Sequence, residues 1–246
     1  MTMLPKEAPP KRLGLVIDLD TCVGCHACAV ACKEWNTGGA MGPLSDIDPY
    51  GAKARGSWLN RIHGFEVGSG HEGRSVYFPK SCLHCANAEC VTVCPTGASY
   101  KREEDGIVLV DEDLCIGCGL CAWACPYGAR ELDEGSGVMK KCTLCVDRID
   151  NTHLSEDERL PACVSVCPVS ARHFGDLADP ESKVSRLVAE RGGFDLMPET
   201  GYAPTNKYLP PRPKRDSIGE GAPATLEPVS PEGGFLGWLD RRLGGA

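Results

Sequence analysis

The sequence predicts an α+β fold built from two stacked modules of similar plan, and three observations support this prediction. Sixteen of the 246 residues are cysteines, and they form four groups with related spacing. Short aliphatic runs lead into the cysteine groups, and short helical patterns follow them. Only 6% of the residues are aromatic and 29 are glycine, so disulfides or metal centres are expected to replace part of a conventional core.

The predicted strands and helices alternate with the cysteine groups. The aliphatic, partly β-branched runs RLGLVIDL (12–19) and GIVLV (106–110) predict strands. Short helices are predicted to begin in HACAVACKEWN (26–36) and LCAWACPYG (120–128), directly after C-x2-C loops. Beyond Pro180, the segment ESKVSRLVAERGG predicts a helix that ends at glycine.

The four cysteine groups share one plan, in which a C-x2-C loop is followed later by a C-x3-C pair. In the last three groups the final cysteine precedes proline and then alanine, as CPTGA, CPYGA and CPVSA, whereas lysine follows the last cysteine of the first group. The groups are Cys22, Cys25, Cys28 and Cys32; Cys82, Cys85, Cys90 and Cys94; Cys115, Cys118, Cys121 and Cys125; and Cys142, Cys145, Cys163 and Cys167.

This spacing indicates [4Fe-4S] clusters. Tight C-x2-C loops let thiolates and backbone N–H groups converge on one inorganic core, and the last cysteine, one helical turn further along, faces a different cluster, as in two-cluster bacterial ferredoxins. The proline after it redirects the chain. Four clusters are therefore predicted. Their ligands are a first quartet, Cys22, Cys25, Cys28 and Cys167; a second, Cys142, Cys145, Cys163 and Cys32; a third, Cys82, Cys85, Cys90 and Cys125; and a fourth, Cys115, Cys118, Cys121 and Cys94.

Three other interpretations account for the cysteines less well. Cys22 to His26 matches the C-x-x-C-H haem-attachment pattern, but that use would leave Cys28, Cys32 and Cys167 without a role. Structural zinc takes two separated C-x2-4-C pairs and has no use for four ligands within eleven residues. A disulfide framework needs an oxidising compartment, and the N-terminal sequence shows no export signal.

Composition and motifs narrow the function further. The net charge of −8, without a basic stripe, argues against nucleic-acid binding, and no apolar run of eighteen residues predicts a transmembrane helix. No nucleotide-binding motif, catalytic nucleophile or acid–base pair is found. A cluster with four cysteine ligands has no open coordination position, so the chain is predicted to pass single electrons between other proteins and to catalyse nothing alone.

The cysteine groups also predict a domain organisation. Residues 12–32 and 138–178 would form an outer module, residues 81–137 an inner module, and residues 33–80 a long insert. The insert contains Trp35, Trp58, Arg55, Arg61 and His63, and it is expected either to bind a partner or to cover a cluster from water. Residues 179–246 would be a C-terminal helix and an extended tail that docks to other subunits.

Within this tail, eight prolines between Pro198 and Pro231 predict an extended strap. A last helix is predicted from Gly234 to Gly244, with an apolar face formed by Phe235, Trp238, Leu239 and Leu243. Such a face packs on protein or contacts a membrane subunit or the lipid surface.

The order of the groups, the lysine after Cys32 and the 17-residue gap between Cys145 and Cys163 resemble the iron–sulfur subunit of membrane-bound molybdopterin oxidoreductases of the dimethyl sulfoxide reductase family, over Leu13 to Ala171. The resemblance implies two partners, a molybdopterin catalytic subunit and a quinone-reactive integral membrane subunit. In the nitrate reductase branch a tryptophan replaces one ligand of the third group and a three-iron centre results. Cys118 occupies that position here, which implies four [4Fe-4S] clusters.

Within the family, the segments LVIDLDTCVGCHACAVACKEWNT and GPLSDIDPYG and the proline-rich tail are most similar to the cytoplasmic, membrane-bound sulfite dehydrogenase branch. That similarity implies oxidation of sulfite to sulfate with quinone as acceptor, on the inner face of the cytoplasmic membrane; co-export with a catalytic subunit to the periplasm is the alternative. Other branches reduce dimethyl sulfoxide, polysulfide or tetrathionate, and a stand-alone polyferredoxin would use the same cysteines.

Overall fold

The computed structural model describes residues 3–37, 41–43, 56–67 and 74–212 and has mixed helix and strand content, which confirms the α+β class. Most helices are a single turn long. The strands are β1 (Leu13–Asp18), β2 (Asn60–Val67), β3 (Arg74–Ser81), β4 (Ser99–Lys101), β5 (Val108–Val110), β6 (Glu131–Asp133), β7 (Val138–Lys140), β8 (Arg172–Asp176) and β9 (Lys207–Leu209). The helices are α1 (Ala27–Thr37), α2 (Glu89–Thr92), α3 (Leu120–Trp123), α4 (Val146–Ile149), α5 (Ala162–Ser165) and α6 (Lys183–Arg191).

The predicted first strand is the centre of a three-stranded sheet with the order β8-β1-β9. Strand β1 pairs antiparallel with β8, Ile17 opposite Arg172, and parallel with β9, Val16 opposite Lys207. The side chain of Leu15 also has no exposed surface. A nearly continuous aliphatic run suits this strand because both of its edges are paired and both of its faces are covered.

Two parts of the chain repeat one order of elements. In the first, group two leads through α2 to β4, which pairs antiparallel with β5 before group three and α3. In the second, group four leads through α5 to β8, which pairs antiparallel with β1 before group one and α1. The helices also contact in corresponding pairs, α2 with α3 and α1 with α5. The same unit is therefore built twice, once from contiguous residues and once from the two ends of the cysteine-containing region.

The predicted insert contains a regular antiparallel hairpin that sequence periodicity did not indicate. Strands β2 and β3 pair from Asn60 opposite Ser81 to Val67 opposite Arg74. Ile62 is buried at one end, whereas Phe65 at the other is 55% exposed. The hairpin is joined to β6 by an ion pair of 2.6 Å between Arg61 and Glu131. Gly64 in β2 interrupts the apolar alternation that would have identified this strand.

The lysine that follows the first group has a structural role. Lys33 lies inside α1, is 1% exposed, and donates from Nζ to the carbonyl oxygens of Met41 at 3.2 Å and Ser57 at 2.9 Å. Because lysine has a backbone N–H, α1 continues to Thr37, whereas the proline after each other group prevents a longer helix. Lys33, which replaces the proline of the other groups, thus lengthens α1, and its side chain bonds the helix to the insert.

The C-terminal part of the described chain packs on the cysteine-containing region. The predicted helix is confirmed as α6, which begins after its N-cap Ser182 and ends at Gly192 with φ of 64°. The start of the proline-rich segment includes the short strand β9 as well as extended chain. The rest of this segment, the predicted helix Gly234–Gly244 and Arg55 of the insert lie outside the described residues. Among the helices that are described, none has the length and apolar character to cross a bilayer.

Asn206 joins this C-terminal segment to two cysteine groups. Its side chain is fully buried, accepts a hydrogen bond from the backbone N–H of Leu15 at 2.8 Å and donates to the carbonyl oxygen of Cys82 at 3.0 Å. The strand before group one and the loop of group two are thereby held by one amide. A buried hydrogen bond that loses one partner leaves the other unsatisfied, which is the costly case.

Replacing Asn206 by alanine is expected to destabilise the protein by about 3 kcal/mol, because two buried backbone groups lose their partner. For a chain of this size, this loss corresponds to a fall of roughly 6 to 12 °C in the midpoint of thermal unfolding. The measurement is the temperature at which the visible absorbance of the reconstituted protein is lost. Asn87→Ala is the control, since the side chain of Asn87 donates one exposed bond to Gly201 and should change the midpoint by roughly 2 °C or less.

Candidate metal centres

The four C-x2-C loops share a left-handed residue at one position. In each loop the residue before the second cysteine has a positive φ, 68° at Gly24, 48° at His84, 65° at Gly117 and 56° at Leu144. Residues other than glycine rarely adopt this region, so its recurrence at a histidine and a leucine shows that the loop requires it. Alternation of ordinary and left-handed residues turns successive N–H groups inward and forms the concavity that binds anions and iron–sulfur cores.

Two glycines in these loops are also required sterically. A Cβ atom on Gly117 would lie 2.3 Å from the carbonyl oxygen of Gly137, and a Cβ on Gly24 would lie 2.4 Å from the ring of Tyr77. These contacts bring the loop before α3 against the turn between β6 and β7, and the loop before α1 against the β2–β3 hairpin. Gly119, with φ of 76°, has open space instead.

The first quartet surrounds a cavity at the start of α1. All four of its cysteines line this cavity, including Cys167, the last cysteine of group four. The remaining wall includes Ile62 and Pro79 from the β2–β3 hairpin and Arg172 from β8. The hairpin of the insert therefore covers this site, which is one of the two roles considered for the insert.

The fourth quartet surrounds a second cavity of the same kind. Its four cysteines line it together, three from group three and Cys94 from group two. Arg130 and Met139 complete its inner wall. In both cavities the wall includes three cysteines of one group and the last cysteine of another, as the spacing predicts.

The second and third quartets are brought together in the interior. The pKa of Cys32 is raised well above its usual value, first by burial and then by the three other cysteines of the second quartet. The pKa of Cys85 is raised to about 12, first by burial and then by the three other cysteines of the third quartet. Each of these thiols therefore lies among the predicted members of its own quartet.

These raised pKa values show that the buried thiols resist ionisation without a positive charge beside them. Burial and neighbouring thiols also raise the pKa of Cys142 to about 12 and that of Cys163 to about 11. Four buried thiolates repel one another, so the interior accommodates them only when a cationic core binds them. The cysteines surround cavities, and among the described residues no three Cys, His, Asp or Glu side chains converge on one point as a single-ion site requires.

Backbone N–H groups donate to the sulfur atoms. The N–H of Ser99 lies 3.3 Å from Sγ of Cys94, and that of Ala171 lies 3.2 Å from Sγ of Cys167. Both donors follow the C-P turn that ends a group, Ser99 in group two and Ala171 in group four. Burial raises the pKa of the Cys94 thiol, but the N–H groups of Ser99, Thr96 and Gly97 and the Thr96 hydroxyl outweigh it and lower the pKa overall. Hydrogen bonds to sulfur are one of the factors that set cluster potentials.

Three side chains close to the quartets carry a buried donor without a partner among the described residues. Nη1 of Arg130, Nη1 of Arg172 and Nε2 of His84 make no hydrogen bond within the part of the chain that the structure describes. His84 is fully buried between two cysteines of group two, and its Nδ1 accepts from the N–H of Val108 at 3.1 Å, so Nε2 carries the proton. Buried donors without partners are rare in proteins, and the sulfide of an iron–sulfur core would satisfy them. The residues present therefore fit such clusters.

The quartets differ in exposure, and each neighbours the next. All four cysteines of the second quartet are buried, whereas the exposed cysteines are Cys25 of the first and Cys118 of the fourth. Charge interactions link Cys28 with Cys163, and Cys142 with Cys82, which places the second quartet between the first and the third. Arg130 interacts with members of both the third and the fourth quartet. The order is therefore first, second, third and fourth, with surface-exposed sites at both ends.

Several site residues were not predicted from the sequence. Arg130, Lys141 and Arg172 lie against the quartets, as does His84. The signal that could have identified them is position, because Arg130 and Arg172 both begin or precede the strand that follows a C-P turn and Lys141 directly precedes a ligand. A single basic residue at such a position has no distinctive pattern by itself.

The fold and the sites define a ferredoxin-type iron–sulfur protein. Residues 74–177 match the family described as a 4Fe-4S dicluster domain, and residues 13–34 match the family described as a 4Fe-4S binding domain. Both matched segments contain complete cysteine groups. Several [4Fe-4S] clusters are therefore the cofactors of this protein.

Full-length relatives define the family more closely. The chain is 59% identical to the B subunit of the sulfite dehydrogenase of Allochromatium vinosum, over 84% of this chain and 86% of that one. It is 39% identical to the B component of polysulfide reductase from Wolinella succinogenes, over 81% and 95%, and 36% identical to the B subunit of tetrathionate reductase from Salmonella typhimurium, over 82% and 74%. This protein belongs to the family of iron–sulfur electron-transfer subunits of the dimethyl sulfoxide reductase type, which confirms the resemblance.

Replacing Gly117 by alanine is expected to remove about four iron atoms per chain, the content of one cluster, since the added Cβ would collide with the Gly137 carbonyl. Iron and acid-labile sulfide are measured after anaerobic reconstitution. Gly119→Ala is the matched control in the same loop, because its φ is also positive but no atom lies within 4 Å of the added Cβ. Equal losses in both variants would show that the close approach to Gly137 does not matter.

Proposed function

We propose that each quartet holds one [4Fe-4S] cluster and that the chain relays electrons along the line of four clusters. The observation that carries this proposal is that three cysteines of one group and the last cysteine of another lie together in every quartet. The repeated order of elements also supports the two modules, an outer one from residues 12–32 and 138–178 and an inner one from residues 81–137. Each bound cluster would supply reversible one-electron transfer.

The chain's own residues would hold the clusters and set their environment. Cysteine thiolates would bind iron, and N–H groups such as those of Ser99, Ala171 and Met139 would donate to ligand sulfur, the last to Cys115 at 3.4 Å. The β2–β3 hairpin would exclude water from the first cluster through Ile62 and Pro79. Hydrogen bonds, burial and charge are the means by which a protein separates the potentials of otherwise identical clusters.

We assign the chain to a complex in which a molybdopterin catalytic subunit oxidises sulfite to sulfate and a quinone-reactive integral membrane subunit accepts the electrons. The support is the 59% identity to a sulfite dehydrogenase subunit, against 36% and 39% for the tetrathionate and polysulfide reductase subunits. As an alternative, the chain would be the electron-transfer subunit of a dimethyl sulfoxide, polysulfide or tetrathionate reductase. A further alternative is a stand-alone polyferredoxin. Reduction of quinone by the purified complex on addition of sulfite is the measurement that distinguishes the first assignment from both alternatives.

The proposed location is the inner face of the cytoplasmic membrane, where the chain would attach through its membrane subunit. None of the sixteen cysteines forms a disulfide, which suits a reducing compartment.

The exposed end of the fourth quartet has the character of a subunit contact. Around the exposed Cys118, the apolar side chains of Leu114, Ile116 and Trp123 are 51%, 67% and 89% exposed. Large apolar side chains grouped on a surface mark sites of protein association. At the other end, Val23 is 53% exposed beside the exposed Cys25. Each end of the line would therefore meet a partner where a cluster is nearest to the surface.

Fully loaded protein is expected to contain about sixteen iron atoms and about sixteen sulfides per chain, four of each for every cluster. A decisive variant is Cys118→Trp, which should convert the fourth cluster into a three-iron centre with an EPR signal in the oxidised state. The other three clusters should persist, so the iron content would fall only slightly. A colourless protein containing zinc, or an unchanged spectrum in the variant, would refute the ligand assignment.

Trp123→Glu is expected to weaken binding to the partner subunit at least tenfold, or by about 1.4 kcal/mol, because an exposed tryptophan at a contact is a frequent hot spot. Recovery of the intact complex by affinity purification measures the effect. Met197→Glu provides the control, since Met197 is 38% exposed and lies between α6 and β9, outside this patch. Equal recovery of the complex with both variants would exclude the patch as a contact.

A further inference from the structure

Three buried cations lie between the quartets, one at each boundary. Arg172, Lys141 and Arg130 are only 3%, 3% and 6% exposed. Among the described residues none of them forms an ion pair with a carboxylate, although other basic residues of the chain do. A buried charge is costly unless an opposite charge compensates for it, so these three require an anionic neighbour of another kind.

Arg130 lies between the third and fourth quartets. One of its terminal nitrogens, Nη2, donates to Sγ of Cys90 at 3.1 Å and to the hydroxyl of Ser99 at 2.8 Å. The same side chain lines the cavity of the fourth quartet, and its charge interacts with Cys121 there. Its other terminal nitrogen, Nη1, has no partner within the described ranges. One guanidinium group thus interacts with sulfur ligands of two quartets.

Arg172 has the same relation to the first and second quartets. It lines the cavity of the first quartet, and its charge interacts with Cys163 of the second. Asn60 holds it in place, since Nη2 donates to Oδ1 at 2.7 Å, while Nη1 has no partner in the described part of the chain. Burial alone would lower the pKa of this arginine, but the surrounding thiolates raise it overall, so the side chain stays charged.

Lys141 occupies the middle boundary. Its Nζ donates to the carbonyl oxygens of Val108 and Cys142, which fixes it beside the second quartet. Burial lowers the pKa of this lysine, and Cys82 and Cys90 of the third quartet oppose that shift. A buried basic side chain therefore lies at each of the three boundaries between neighbouring quartets, although the three residues are far apart in sequence.

We propose that Arg172, Lys141 and Arg130 each act on two neighbouring clusters at once and raise the reduction potentials of both. The inference rests on the proposed function, because it requires a cluster in each quartet. A fixed positive charge stabilises the reduced form, which has one more electron, more than the oxidised form. A cation shared by two clusters shifts both potentials in the same direction, so it makes both easier to reduce without opposing transfer between them.

The test uses full-length, iron-loaded protein with Cys118→Trp, whose three-iron centre would give the fourth site an EPR signal of its own. Arg130→Gln is expected to lower the equilibrium constant for reduction of that centre at least tenfold, a potential shift of about 59 mV for one electron. Arg130→Lys should keep most of the original potential because it keeps the charge. Arg172→Gln removes the same charge at the far boundary and should leave this centre unchanged while it lowers the potentials of two cubane signals.

The outcomes separate the inference from the proposed function. If Cys118→Trp gives no three-iron signal, the ligand assignment itself is wrong. If that signal is present but Arg130→Gln does not shift it, or shifts it no more than Arg130→Lys or Arg172→Gln does, the cations do not tune their neighbours. Should Arg130→Gln lose iron, Arg172→Gln provides the second test, and unchanged cubane potentials there would overturn the inference. Loss of iron from both glutamine variants would also overturn it, since the cations would then have a structural role only.

Discussion

The structure depends on bringing many sulfur ligands, each of which binds metal as an anion, into a small protein interior. Burial and mutual repulsion raise the pKa of Cys85 and Cys142 to about 12 in the absence of a bound core. Three features of the fold compensate for this cost: backbone N–H groups turned inward by left-handed loop residues, buried basic side chains, and cavities that a cationic iron core would fill. A conventional apolar core is correspondingly small, and several cysteines belong to it.

The exchange of last cysteines between groups gives the chain its topology. Because Cys167 joins the first quartet and Cys32 the second, the two ends of the cysteine-containing region must lie side by side. The pairing of β1 with β8 provides that proximity, and β9 and Asn206 reinforce it. Folding of the chain and binding of metal are therefore expected to be coupled, since a quartet is complete only when residues far apart in sequence have met.

The sequence alone proposes the quartets because metal ligation depends on local spacing, and a C-x2-C loop followed by C-x3-C restricts the backbone within a dozen residues. The same reasoning identified β1, β5, α1, α3 and α6. It missed the β2–β3 hairpin, whose alternation is interrupted by glycine, and β9, which is only three residues long and is defined by its pairing with β1. It also missed Arg130 and Arg172, because a buried cation is recognised by what surrounds it and not by its neighbours in sequence.

The distribution of exposure is consistent with the proposed relay between two partner subunits. A cluster in the middle of the line gains from burial, which excludes water and keeps its potential independent of the partner. A terminal cluster must instead approach the surface, and the exposed Cys25 and Cys118 meet that need at opposite ends of the line. The apolar side chains beside Cys118 would exclude water once a partner binds, so assembly would complete the burial that the isolated chain leaves unfinished. An arrangement of this kind favours electron transfer within the assembled complex over loss of electrons from the free subunit.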